Sequence, residues 1–209
     1  AAQRVPDDEV GVSANAFRIR HIDLDNKDYF MASDNVFSLA EELGYWTPQS
    51  GEAFEFCYAY GSRNSVYCRR REWRVLSLLA PSLDLHPEAE NYPFSVKPEK
   101  KVSVKDVLAL FRDFYENTSY DMTKDMLVRK HYRRTEEEKE KNIVEMVKSP
   151  VANPFLSSQW RDLLGIERER TIATSYATYV QVTQSRSWLP DPVGGVVWLG
   201  YDNPATTPH

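Results

Sequence analysis

Apolar and polar positions alternate most clearly late in the chain. Residues 171–184 are rich in β-branched and aromatic types. Tyr176, Thr178, Val180 and Val182 fall on one side of an extended backbone, with Ala177, Tyr179, Gln181 and Thr183 on the other. Residues 193–199 read as a second, more fully buried strand. Between the two, Pro190 and Pro192 stop helix and ladder alike and force a rigid turn. Gly194-Gly195 opens the second strand where a bulge or a close backbone approach is suited. The pattern predicts a long hairpin.

Earlier segments are shorter. Val10, Val12 and Ala14 alternate, as do Phe17, Ile19 and His21, so residues 10–22 are predicted as one or two strands with Asn15 between the halves. Residues 23–28 are polar and turn-like. Ser33 can cap a helix that carries Val36, Leu39, Ala40 and Leu43 on one face and ends at Gly44. Residues 46–55, with Pro48 and Gly51, read as a loop, and residues 56–60 as a short aromatic strand closed by Gly61. Residues 69–80 place Trp73, Leu76, Leu79 and Ala80 at helical spacing, and Pro81 stops them. An irregular, proline-bearing segment follows to residue 101.

Ser103 with Asp106 forms a capping box ahead of a helix lined by Val107, Leu110, Phe111 and Phe114. Thr135 with Glu138 forms another, and the charged run 136–145 predicts an exposed helix in a charged helical insertion at 130–150. Residues 150–166 read as irregular chain.

Composition narrows the class. With 209 residues, 42% hydrophobic and 12% aromatic, the chain suffices for one large core, and a single domain over 1–209 is expected. A net charge of −5 does not favour nucleic acid or an anionic membrane. No apolar run approaches the roughly 18 residues of a membrane span, and no signal peptide is recognisable. The chain begins Ala1-Ala2-Gln3-Arg4, which suits a processing site or an arbitrary boundary, so cytoplasmic and exported locations both stay open. Four His and two Cys are scattered without metal-ligand spacing, and neither zinc nor any other cofactor is expected. Whether Cys57 and Cys68 pair is left open.

Three arginines, Arg69 to Arg71, open the predicted 69–80 helix, where the positive pole of the dipole disfavours cations by a few tenths to about 1 kcal/mol each. An anionic partner is expected there, from the protein or from a substrate. Cys68 adjoins this cluster, which favours its thiolate, but neither His86 nor His131 sits in a motif that would supply a base. Cys57, between Phe56 and Tyr58, reads as a packed strand residue.

Three stretches of wording are more specific than these patterns. They are Val180-Gln181-Val182-Thr183-Gln184-Ser185-Arg186-Ser187-Trp188-Leu189-Pro190-Asp191 continuing into Gly194-Gly195-Val196-Val197-Trp198-Leu199-Gly200-Tyr201-Asp202; Ala59-Tyr60-Gly61-Ser62 leading to Arg69-Arg70-Arg71-Glu72-Trp73-Arg74; and Tyr92-Pro93-Phe94-Ser95-Val96-Lys97-Pro98 leading to Val102-Ser103-Val104. In this order, over most of the chain, they resemble the dipeptidase A family, cysteine-type peptidases of the N-terminal-nucleophile (Ntn) hydrolase class. The resemblance implies an α/β (α+β) fold that is part of a four-layer αββα sandwich.

The resemblance also implies an N-terminal Cys that attacks the peptide while its own α-amine moves the protons. Position 1 here is Ala, so the chain is expected to be a portion of the enzyme, inactive alone, whose partner is the missing N-terminal portion. Asn15, within Ser13-Ala14-Asn15-Ala16-Phe17-Arg18-Ile19, matches the Asn whose amide helps hold the oxyanion; its bland reading is an Asn satisfying local backbone at a strand bend. Arg71 is the expected active-site arginine, with Arg70 and Arg74 as substrate-binding neighbours or fallbacks.

Arg186, Trp188 and Asp191 are expected to be architectural: Arg186 paired with Asp191 across the turn, Trp188 and Trp198 packing the hairpin. The substrate implied is a dipeptide or short peptide, and self-association stays open. Two alternatives stand beside this reading: an Ntn amidase of the penicillin or bile-salt acylase type, and a secernin-like interaction module without catalysis.

Overall fold

A computed structural model describes residues 1–61, 65–121, 127–129, 146–148, 157–165, 169–174 and 176–206. They fall into two compact units, Ala1–Lys101 and Val102–His209. Helices and four two-stranded antiparallel sheets give a mixed α and β fold, in line with the α+β expectation. No helix among the described residues is long and apolar enough to cross a membrane.

The first unit is built round α3 (Val66–Leu79). Cys68, Trp73, Leu76 and Ala80 form its buried apolar side, as the helical spacing requires, and Leu76 is fully enclosed. Pro81 ends it, and the Leu79 carbonyl left over at the C-terminus accepts from the Glu99 amide at 2.9 Å. Glu99 also takes the Ser82 amide on its side chain at 2.7 Å. The helix starts three residues earlier than the sequence suggests. Arg70 and Arg71 therefore stand in its second turn, where the dipole acts on them less than expected.

The unit holds two short sheets, the second of which packs on α3 through its last strand: β1 (Ala2–Gln3) pairs with β3 (Phe30–Met31), and β2 (Val10–Gly11) with β4 (Ser95–Val96). The strands expected over 10–22 are therefore confined to Val10–Gly11. Beyond them the chain bends at 14–16, with Asn15 at φ 59°. The carbonyls of Ile19 and Arg20 then serve another purpose: they accept the Cys57 and Phe56 amides at 2.9 and 2.8 Å. Those bonds satisfy the exposed N-terminal amides of α2 (Phe56–Ala59), a single helical turn where an aromatic strand was expected. Arg20 grips Glu55 by both carboxylate oxygens, at 2.9 and 2.5 Å, and fixes the entry to that turn. Phe56 and Tyr60, four apart, then stack with centroids 5.1 Å apart, a helical contact.

The helix α1 (Val36–Glu42) buries Val36 and Ala40 as expected and is followed by Gly44 at φ 68°. Its N-cap is Asn35 rather than Ser33, whose carbonyl instead accepts the Val36 amide. The loop after it holds one 3₁₀ turn at Pro48–Ser50.

In the second unit, α4 (Val104–Phe111) carries the expected capping box, Ser103 and Asp106 bonding each other's backbone amides, and Phe114 lies beyond its last turn. Strand β5 (Leu127–Arg129) pairs with β6 (Met146–Lys148). The capping box at Thr135 and the charged helix at 136–145 lie outside the described residues. Helix α5 (Ser158–Leu164) replaces part of the irregular chain expected at 150–166; the Ser157 hydroxyl accepts the Trp160 amide and caps it.

The hairpin is present. Strand β7 (Tyr179–Ser185) pairs with β8 (Gly195–Tyr201) from Tyr179↔Tyr201 to Ser185↔Gly195. Val180 and Val182 are buried, and α4 packs on β7. The connection is a short helical turn, α6 (Asp191–Gly194), rather than two rigid proline corners. Three expectations are corrected here. Strand β8 leaves Val197, Leu199 and Tyr201 open and buries only Gly200, whereas β7 buries Val180 and Val182, so β8 is not the more buried strand. Arg186 does not reach across to Asp191 but donates to the Val193 carbonyl at 2.6 Å, because the helical turn brings that carbonyl inward. Trp188 is 71% exposed and packs little of the hairpin.

Candidate active site

Arg71 sits on α3 with a side chain only 8% exposed, and its whole fork is engaged. Nε donates back one helical turn to the Tyr67 carbonyl at 3.1 Å, and the guanidinium lies 5.8 Å from the Tyr67 ring centroid. Nη1 donates to Asn15 Oδ1 at 3.0 Å; Nη2 reaches the Ala14 carbonyl at 3.4 Å and Cys68 Sγ at 3.5 Å. The structure thus joins Asn15 and Arg71 directly, although 56 positions separate them. The anionic partner expected from the dipole argument is, for Arg71, a set of neutral oxygens.

This contact fixes the Asn15 amide. A guanidinium has only donors, so the oxygen must face Arg71 and the Nδ2 donor must be directed elsewhere. Asn15 itself is exposed at a left-handed bend, a conformation Asn tolerates better than most residues. The Ser13 hydroxyl closes the bend by donating to the Ala16 carbonyl at 2.8 Å.

The rest of the arginine cluster is divided. Arg70 is 1% exposed, with Nη2 3.3 Å from Glu88 Oε1, an internal pair. Arg74, one turn further along α3 than Arg70, is half-buried. Cys57 and Cys68 are both buried free thiols. Cys68 receives the Ser65 hydroxyl at 3.1 Å as well as Arg71, so the arginine at its sulfur is not one of its chain neighbours, Arg69 and Arg70.

The first unit also holds a cavity of about 230 Å³, lined in part by Phe17, Arg18, Arg20, Cys57, Tyr58 and Tyr92. Neither Asn15 nor Arg71 lines it. Burial pushes the Cys57 thiol up, and it pushes the Tyr92 hydroxyl up to about 12. Tyr92 therefore stays protonated through neutral pH, donating to the His86 carbonyl at 2.7 Å.

Two residues beside Asn15 and Arg71 were not singled out from the sequence. Glu72 is 0% exposed and pairs with Arg18, Nη1 to Oε2 at 2.7 Å. Arg18 also donates through Nη2 to the Tyr92 and Pro93 carbonyls at 3.1 and 2.7 Å. A signal existed: Glu72 lies four residues from both Cys68 and Leu76, in line with the apolar ridge, where an unpaired carboxylate would be costly.

Burial holds the Glu72 carboxyl above its ordinary value of 4.5, while Arg18, the Ala14 backbone, Arg71 and Arg69 pull it back. A raised carboxyl contributes stability that is present in full below the unfolded value and is lost as pH rises through the folded one. The urea stability of the protein relative to its Glu72→Gln variant is therefore expected to fall as pH rises above the ordinary carboxyl value of 4.5. A difference that is flat or rises with pH would contradict this.

The sequence is 36% identical over 208 residues to a probable dipeptidase of Salmonella dublin, covering 98% of this chain and 39% of that protein. It is 26% identical to a probable dipeptidase of Latilactobacillus sakei, over 100% of this chain and 37% of the other, and 27% identical to probable dipeptidase B of Lactococcus lactis, over 96% and 36%. The chain thus spans less than two fifths of the length of these relatives. The sequence model of peptidase family C69 matches residues 1–209, both units included, and bears out the dipeptidase A resemblance. By that match the chain belongs to peptidase family C69.

Proposed function

We propose that the full-length protein hydrolyses dipeptides or short peptides by the Ntn mechanism, with a nucleophilic Cys outside these 209 residues. Asn15 Nδ2 donates to the oxyanion of the tetrahedral intermediate, and Arg71 holds the amide in that orientation. Arg74 takes the substrate-binding role expected of the cluster. Arg70 was expected to share it, but its burial beside Glu88 suits an internal cation. The two units belong to one domain of an αββα sandwich, a reading supported by a single family match that runs through both.

The observation that carries this reading is the Arg71–Asn15 hydrogen bond, within a chain matched end to end by a peptidase family. The two cysteines in the chain add support, since both are buried within the first unit. The test is hydrolysis of a dipeptide panel by the full-length protein, followed by iodoacetamide inactivation and peptide mapping. Activity lost with label on a Cys outside residues 1–209 is expected. Inactivation that tracks label on Cys57 or Cys68 would overturn it. Turnover of acyl amides but not dipeptides would point to the acylase alternative, and turnover of neither to an interaction module.

A further inference from the structure

Arg71 and Glu72 are consecutive on α3 and so point about 100° apart round the helix. Both hold the same short segment. Arg71 takes Ala14 and Asn15, and Glu72 takes Arg18. Arg18 in turn clamps the segment to the carbonyls of Tyr92 and Pro93. The bend that carries Asn15 is therefore suspended between two adjacent helix positions.

We propose that Glu72, acting through Arg18, is a positioning residue for the Asn15–Arg71 pair. The inference rests on the reading of Asn15 as an oxyanion donor and deepens it. A purely stabilising role accounts poorly for the arrangement. A buried ion pair is seldom more stable than well-packed apolar groups of the same volume, because desolvation offsets the attraction. Arg18 Nε is buried here without a hydrogen-bond partner, which adds to that cost. Burial also raises the Glu72 carboxyl, so its ionisation works against the folded state. What the pair does supply is registry: a planar fork that fixes where residue 18, and with it residue 15, meets α3.

The test is a double-mutant cycle in the full-length enzyme with dipeptide substrate, using Glu72→Gln, Asn15→Ala and the two combined. Glu72→Gln is expected to lower kcat about tenfold or more with KM changed less than about twofold, and to add no further loss in the Asn15→Ala background. Losses that multiply in the double variant, or an unchanged kcat in Glu72→Gln while Asn15→Ala is impaired, would overturn this inference and leave the proposed function standing. An unchanged kcat in Asn15→Ala would remove Asn15 from the reaction, and the inference with it, while dipeptide hydrolysis itself would stand. Should Glu72→Gln fail to fold, Arg18→Lys replaces it in the same cycle, since an ammonium on a flexible stem lacks the planar fork that spans a carboxylate and two carbonyls.

Discussion

Asn15→Ala in the full-length enzyme is expected to lower kcat for dipeptide hydrolysis about 10²–10³-fold. The size follows from the kind of group removed: a neutral donor aimed at charge that develops only in the transition state. Arg71 gives that donor its aim, by taking Oδ1 at 3.0 Å and so directing Nδ2 away from itself. Asn15 sits at φ 59°, where Ala carries roughly 1–2 kcal/mol of backbone strain, so urea unfolding is measured alongside turnover. Two further variants separate strain from chemistry. Asn15→Gly removes the strain and should show the same loss of kcat. Asn15→Asp keeps an oxygen on Arg71 and makes that contact charge-assisted, yet replaces the donor with an acceptor. It should hold or raise stability while turnover falls at least as far. Wild-type kcat in either Asn15→Ala or Asn15→Asp would remove Asn15 from the reaction.

How much of this could be read in the sequence depended on the reach of each signal. The hairpin was legible because its alternation and its Pro and Gly punctuation are local, and so was the capping box at Ser103 and Asp106. The turn at Phe56 to Ala59 was misread because aromatic residues favour strands, whereas here the carbonyls of Ile19 and Arg20 and the Arg20–Glu55 pair select a helix. Even the nearest of these pairs, Arg20 with Glu55, spans 35 residues, beyond any windowed pattern. The openness of β8 was missed for a related reason: an apolar run in a strand does not say whether a second layer covers it.

For the site, periodicity alone offered only an arginine cluster. Asn15 and Arg71 were brought together by the family resemblance, and their contact spans two segments that no local rule connects. Glu72 is the instructive omission. A carboxylate in the apolar line of a helix announces a buried partner, but only the fold reveals that the partner is Arg18, three residues from Asn15.

Arg71→Lys is the substitution that best tests whether the arginine matters for its shape or for its charge. The ammonium of Lys keeps the positive charge, but it is one point at the end of a flexible stem, whereas Arg71 spreads its donors over four acceptors. The three donors of the ammonium cannot serve all four, and the Tyr67 carbonyl, bonded through Nε, is the first to go. The Asn15 oxygen is then no longer held by a planar fork, and the donor on the same amide is less sharply aimed. Turnover in the full-length enzyme is expected to drop by about 10²-fold, approaching the Asn15→Ala value. Because both changes act on one donor, Arg71→Lys combined with Asn15→Ala should be scarcely slower than Asn15→Ala alone. Stability should fall as well, by about 1–3 kcal/mol, for the buried oxygens left without donors. The two readouts divide the outcomes. Lower stability with normal kcat would make Arg71 a structural residue of α3 only, and losses of kcat that multiply would mean Arg71 touches the substrate itself instead of acting through Asn15.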